Sequence, residues 1–144
     1  MINKELVVSK SIIISEGYEA VWNVMTQPEK IKVYLFGTET ITDWKVGSPI
    51  IFQGEYQGHT YKDKGNVLEN EYGKLLKYNY WSGFSGVEDK LENYSIITYI
   101  LNEIDNNQTK LTWRQEGFAN VEGQQHSENG LMGMLEQIKK LVEG

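Results

Sequence analysis

Residues 4–15, KELVVSKSIIIS, are rich in β-branched side chains and predict a first strand, which Glu16 and Gly17 break. In the next stretch, YEAVWNVMT, Tyr18, Val21, Trp22 and Met25 recur at intervals of three and four. That spacing puts them on one face of a short amphipathic helix. Pro28 suits the first turn of a second short helix, with Ile31, Tyr34 and Leu35 on one side, and Gly37 ends it.

From Thr38 to Phe118 the pattern changes to strands. ETITDW and PIIFQGEYQ are separated by a turn at Lys45–Ser48, and HTYKDKGNVLE follows a turn at Gly58. GKLLKYNYW follows the turn at Tyr72–Gly73. NYSIITYILNEI and QTKLTWRQEGF flank Asn106-Asn107, a tight-hairpin signal because Asn tolerates positive φ. In KLTWRQ, Leu111 and Trp113 alternate with Thr112 and Arg114, as in an antiparallel sheet with one buried face.

The last segment is helical: Leu131, Leu135, Ile138 and Val142 step by four, three and four, and Met134 and Leu141 widen the stripe. Strands segregated from helices predict an α+β domain rather than a parallel α/β sheet. The expected form is a curved antiparallel sheet of six to seven strands, two short helices after the first strand, and a long C-terminal helix. The 144 residues are read as one domain, residues 1–144, long enough to bury a core.

Composition removes several classes of function. The chain has no cysteine, hence no disulfide framework, thiol nucleophile or thiolate metal site, which suits a cytoplasmic protein. Its net charge is −6 and Arg114 is the single arginine, so the clustered cations that neutralise nucleic-acid phosphates are missing. The apolar run Ile12–Ile14 is too short for a membrane span or a signal-peptide core. His59 and His126 have no third metal ligand nominated beside them, even with Glu122 four residues before His126. Neither a nucleophile-elbow Gly-x-Ser-x-Gly nor a phosphate-cradling glycine motif occurs. Glu88-Asp89 reads as a solvated loop tip. The expectation is no catalytic residue, no metal and no cofactor.

EAVWNVMTQPEKI resembles the helix–Pro–helix opening of the START-like, or SRPBCC, helix-grip superfamily. Within it the chain is most similar to the branch homologous to the heat-shock-protein ATPase activator. DWKVGSPIIF is similar to that branch's strand ending in a Val-Gly-Gly turn. GNVLE, LLKYNYW, TKLTWRQEGF and NGLMGMLEQIKKLVE are similar to its later strands and final helix, in order, over nearly the whole chain. Tyr34 stands where Trp is common, Ser48 replaces the second Gly of the turn, and Leu131 follows Gly130 where Trp is usual.

The resemblance implies that the long helix covers the concave face of the sheet. Alternation then places Ile50, Phe52, Leu76, Tyr78, Tyr80, Ile97, Tyr99, Leu101, Leu111, Trp113 and Gln115 inward, with Leu131, Met134, Leu135 and Ile138 from the helix. The nine Tyr, four Trp and four Phe exceed what packing requires. Inward Tyr hydroxyls and Gln115 suggest polar points on an apolar cavity wall; the alternative is that they reach water at the sheet's edge. The expected ligand-binding set is Phe52, Tyr78, Tyr80, Tyr99, Trp113, Gln115, Leu131, Met134 and Leu135, with Phe84 as a plug. The loop Ser82–Lys90 is either a mobile lid carrying Phe84 or a plain hairpin loop. Gln124, Ser127 and Glu128 extend the inward face of the helix into a polar pocket mouth.

The expected function is non-enzymatic binding of a small hydrophobic or aromatic ligand in that cavity, by a monomer or weak homodimer. One alternative, which the resemblance allows, is a cochaperone-like domain with a chaperone or other protein partner. A third is a cyclase- or hydrolase-type enzyme drawing on His59, Glu128 and the tyrosines.

Overall fold

The structure, a computed structural model, describes residues 2–144. Strand β1 (Asn3–Ile14) leads into helices α1 (Tyr18–Thr26) and α2 (Pro28–Tyr34). Six strands follow: β2 (Glu39–Ile41), β3 (Pro49–Tyr56), β4 (His59–Glu71), β5 (Leu75–Tyr80), β6 (Ser95–Asp105) and β7 (Gln108–Phe118). Helix α3 (Val121–Glu143) closes the chain. The strands form one antiparallel sheet in the order β1-β7-β6-β5-β4-β3-β2. Five neighbouring pairs are consecutive in sequence; the two helices fill the one long crossover, from β1 to β2. This is the α+β helix-grip fold.

The register explains the inner face. Tyr99 on β6 lies opposite Leu76 on β5 and Trp113 on β7, and Ile97 lies opposite Tyr78 and Gln115. Because strand side chains alternate, these residues share one face. Leu76, Tyr78, Ile97, Tyr99 and Trp113 are accordingly buried, and Leu131, Met134, Leu135 and Ile138 of α3 cover them. Full burial of each such side chain contributes roughly 1.5–3 kcal/mol.

Helix α3 starts at an Asn120 cap, whose side-chain oxygen accepts the Gly123 N–H at 2.8 Å. It also covers the sheet's open edge. Gln124 Nε2 donates to the Val7 carbonyl at 3.0 Å, and Lys139 Nζ donates to the Ile13 carbonyl at 2.9 Å. Glu143 accepts the Ser15 N–H at 2.8 Å. Free backbone groups of an edge strand invite pairing with other chains, and here side chains of the helix occupy some of them.

The stretch ETITDW departs from its expected strand after Ile41. Trp44 adopts a left-handed conformation (φ 63°) and turns back, so that its Nε1–H donates to the Thr26 carbonyl at 3.0 Å. The indole thereby takes up an acceptor at the end of α1 that the helix leaves unpaired.

Glycine matters most where β4 meets β5. A Cβ on Gly65 would lie 1.8 Å from the Asn79 carbonyl oxygen. Gly133, within α3, faces open space. Gly65→Ala should therefore lower unfolding free energy by about 2 kcal/mol or more, through forced separation of two strands. Gly133→Ala should raise it by about 0.5–1 kcal/mol, because alanine loses less backbone entropy in a helix. Urea denaturation of both variants tests the pair of signs.

Candidate functional site

Between the sheet and α3 the core is not closed: a cavity of about 320 Å³ remains. Phe52 (β3), Tyr78 and Tyr80 (β5), Ile97 and Tyr99 (β6) and Trp113 and Gln115 (β7) form its floor and walls. Leu131 and Met134 of α3 roof it. Phe52 packs on Tyr78 and Tyr80, each at 5.6 Å between ring centroids, and Tyr78 packs on Tyr99 at 6.4 Å. These tilted and edge-on arrangements suit aromatic quadrupoles and hold the rings in fixed positions.

Two residues expected at the site lie elsewhere. Leu135 is 0% exposed and packs within the core; the stripe turns away from the cavity after Met134. Phe84 is 66% exposed, because the single helical turn Gly83–Ser85 directs it outward, with its ring 5.9 Å from that of Tyr61. It borders a second cavity, of about 210 Å³, which shares Tyr80 and Gln115 with the first.

The loop that carries Phe84 is tied down. Trp81 Nε1 donates to the carbonyls of Val87 and Glu88 at 3.2 and 3.1 Å, and Asn93 Nδ2 donates to Glu88 at 3.0 Å. Asp89 forms an ion pair with Lys64 and accepts the Tyr94 hydroxyl at 2.5 Å. Asp89 thus staples the loop to the sheet.

At the mouth, Ser127 lines the cavity as expected, joined by His126 and Gly130 of α3 and by Leu35, Phe36 and Thr38 after α2. Gln124 is instead bound to β1, and Glu128 is exposed on the outside of the helix. Phe36 holds a left-handed backbone (φ 51°), a costly state for a bulky residue outside glycine's range.

Asp63, absent from the expected set, is the acidic residue on the wall. It is only 6% exposed and lies opposite Phe52 in the β3–β4 pairing. Alternation along HTYKDKGNVLE puts Tyr61, Asp63, Gly65 and Val67 on one face, so the signal was in the sequence. Tyr80 Oη donates to Asp63 Oδ2 at 2.5 Å, a charge-assisted bond, while Oδ1 is buried without a hydrogen-bond partner. Burial pushes the Asp63 carboxyl above its ordinary range; the Tyr80 and Ser82 hydroxyls and the Gly83 N–H draw it back only in part.

The phenols remain neutral. Burial raises Tyr34 and Tyr78 well above the usual tyrosine range, and neighbouring phenols add to the rise. Burial likewise raises Tyr99, and its polar neighbours Tyr34, Tyr78 and Trp113 offset part of the rise. Tyr80 is raised by burial and then by the charge of Asp63. Among the described residues no group of three His, Asp or Glu could hold a metal ion, and no helix is long and apolar enough to cross a membrane.

The raised Asp63 carboxyl has a consequence for stability. Its protonated form is favoured by folding, so its contribution falls as pH rises from the unfolded value, near 3.8, through the higher folded value. Asp63→Asn retains an oxygen for the Tyr80 hydroxyl and does not ionise. The melting temperature of the variant minus that of the native chain should therefore increase from pH 3.5 to pH 7, at roughly the pH range where carboxyls titrate. A flat difference would show that burial does not penalise the Asp63 charge.

Comparison with known proteins adds to this geometry. No curated protein sequence matches the chain. Among solved structures, a protein from Cytophaga hutchinsonii is 34% identical, with 98% of this chain and 96% of that one covered and a TM-score of 0.82. An HSP90 activator from Plasmodium falciparum shares the fold at 16% identity, with 96% of each chain covered and a TM-score of 0.74. The Aha1 dimer from Colwellia psychrerythraea shares it at 15% identity, with 95% and 96% covered and a TM-score of 0.73. The family model described as activator of Hsp90 ATPase homolog 1-like protein matches residues 18–143. The chain therefore belongs to the activator of Hsp90 ATPase homolog 1-like family.

Proposed function

We propose that this chain binds a small hydrophobic or aromatic molecule, without catalysis, in the space between its sheet and α3. The observation that supports the reading is the cavity itself. A core designed only for stability closes such space, since each unfilled volume forfeits packing contacts. Here about 320 Å³ stays open beneath Leu131 and Met134, walled by aromatic rings with few polar atoms. That volume is at the lower end of small-molecule sites, and its lining has their usual composition.

A cochaperone role is the second reading, and family membership is what favours it. The family takes its name from an activator of the Hsp90 ATPase, and the Plasmodium neighbour is an HSP90 activator. Addition of the purified chain to an HSP90 ATPase assay tests it; an unchanged rate removes it. The two readings are compatible, since a ligand in the cavity and a partner on the outer surface use different atoms.

Anilinonaphthalene sulfonate, a dye that brightens in apolar surroundings, should bind the native chain with one site. Leu131→Trp should fill the roof of the cavity and weaken that binding about tenfold or more, at little cost in melting temperature. No brightening with the native chain, or equal binding by the variant, would count against the cavity as the site.

A further inference from the structure

The two cavities beneath α3 lie end to end along the strands. On β6, Ile97 lines the first cavity and Ser95, the next residue on the same face, lines the second. On β7, Trp113 lines the first and Gly117 the second, and Gln115 between them lines both. On β5, Tyr78 lines the first and Tyr80 lines both. The helix follows the same order: Leu131 and Ser127 border the first cavity, and Gly123 and Asn120 border the second. The two spaces are therefore compartments of one trough, and Tyr80 and Gln115 stand where they meet.

Gln115 is held across the boundary. In the β6–β7 register it lies opposite Ile97, yet its Nε2 donates to Ser95 Oγ at 3.1 Å, one inner-face position further on. Ser95 is buried, and its Oγ donates to the Tyr80 carbonyl at 3.2 Å, which fixes the acceptor in place. The amide therefore leans from the level of the first compartment to that of the second. Tyr80 is drawn the other way, since its hydroxyl donates to Asp63 on β4 at 2.5 Å. Gln115 is thus the side chain that closes the β7 side of the trough. The next inner-face position on β7, Gly117, has no side chain, so space reopens directly beyond the amide.

We propose that Gln115 is a specificity-determining residue, a partition whose side chain sets the length of the molecule held beneath α3. The proposal rests on the ligand-binding reading above and gives that ligand a dimension. In the native chain an apolar body fills the first compartment and stops at the amide. From Ser127 to Met134 the helix spans about 10 Å, which matches about eight carbons of extended alkyl chain. A longer body must take the Gln115 N–H from its partner at the buried Ser95, and an unmade hydrogen bond of this kind is costly. Truncation at position 115 removes the obstacle and opens the second compartment to the same molecule.

The 1-alkanols from butanol to dodecanol, measured by displacement of anilinonaphthalene sulfonate, test the partition. In the native chain affinity should rise about fourfold per methylene as far as about octanol and level off beyond it. Gln115→Ala should move the break to longer chains, so that it binds dodecanol about tenfold or more tighter than the native chain does. Gln115→Met, which keeps the bulk without the amide, should leave the break where it is. If Gln115→Ala fails to fold, Ser95→Ala, which frees the amide to swing aside, should give the same shift. A native series that rises without a break would overturn the partition while ligand binding stands. So would a break that Gln115→Ala leaves unmoved, or one that Gln115→Met moves equally. Dye uptake that no alcohol displaces would also overturn the partition alone. If neither dye nor alcohol binds, the ligand-binding reading falls with it.

Discussion

The apolar stripe of α3 against the concave face of the sheet is the contact on which the other features depend. Leu131, Met134, Leu135 and Ile138 are buried together with the inward residues of β3 to β7. That packing fixes the helix at one height above the strands. The same helix then reaches sideways through Gln124, Lys139 and Glu143 to the free edge of β1. One element thereby covers the core and protects the sheet's longest exposed edge. The cavity exists because the stripe is held at both ends: Leu135 and Ile138 pack fully at one, while Leu131 and Met134 span the aromatic floor at the other.

The floor shows how polar atoms are accommodated in such a space. Tyr34, Tyr78, Tyr80 and Tyr99 place hydroxyls where a solid core would use Leu or Phe. Two fixed acceptors, the backbone carbonyls of Met25 and Tyr80, and one carboxylate, Asp63, receive protons from the side chains around them. Burial keeps the phenols neutral, so the network carries a single ionisable acid, whose charge is disfavoured by its surroundings. A buried carboxyl with one unmet oxygen lowers stability, and residues that do so commonly belong to functional sites.

Family membership bears on the fold more than on the cavity's chemistry. Structures at 15 and 16% identity retain the sheet and helix across nearly their whole lengths, and shared folds host different functions. Of the three positions where this chain departs from the pattern it resembles, one, Leu131, lines the site. Leu131 roofs the cavity where the pattern has a larger ring, and Tyr34, buried in the core, donates its hydroxyl to the Met25 carbonyl.

Much of this was legible in the residues themselves. The alternation in LLKYNYW, SIITYIL and KLTWRQ placed Tyr78, Tyr80, Tyr99, Trp113 and Gln115 on one face, and the helical spacing from Leu131 to Ile138 identified the covering stripe. Periodicity suffices there because pleat and helix pitch are local geometry. Asp63 obeyed the same rule on β4. Where Phe84 points was not legible, because a single turn between strands has no period to read. The partner of Gln124, the Val7 carbonyl, lies 117 residues away in sequence, and no local pattern links them. The direction of the Gln115 amide follows from Ser95 and the Tyr80 carbonyl, which meet it only when β5, β6 and β7 pair. The sequence by itself determined which faces are apolar and where rings accumulate, since those depend on residue type and spacing. The open volume and the orphaned oxygen of Asp63 were decided only by tertiary structure, because each depends on distances between strands that the chain brings together from remote positions.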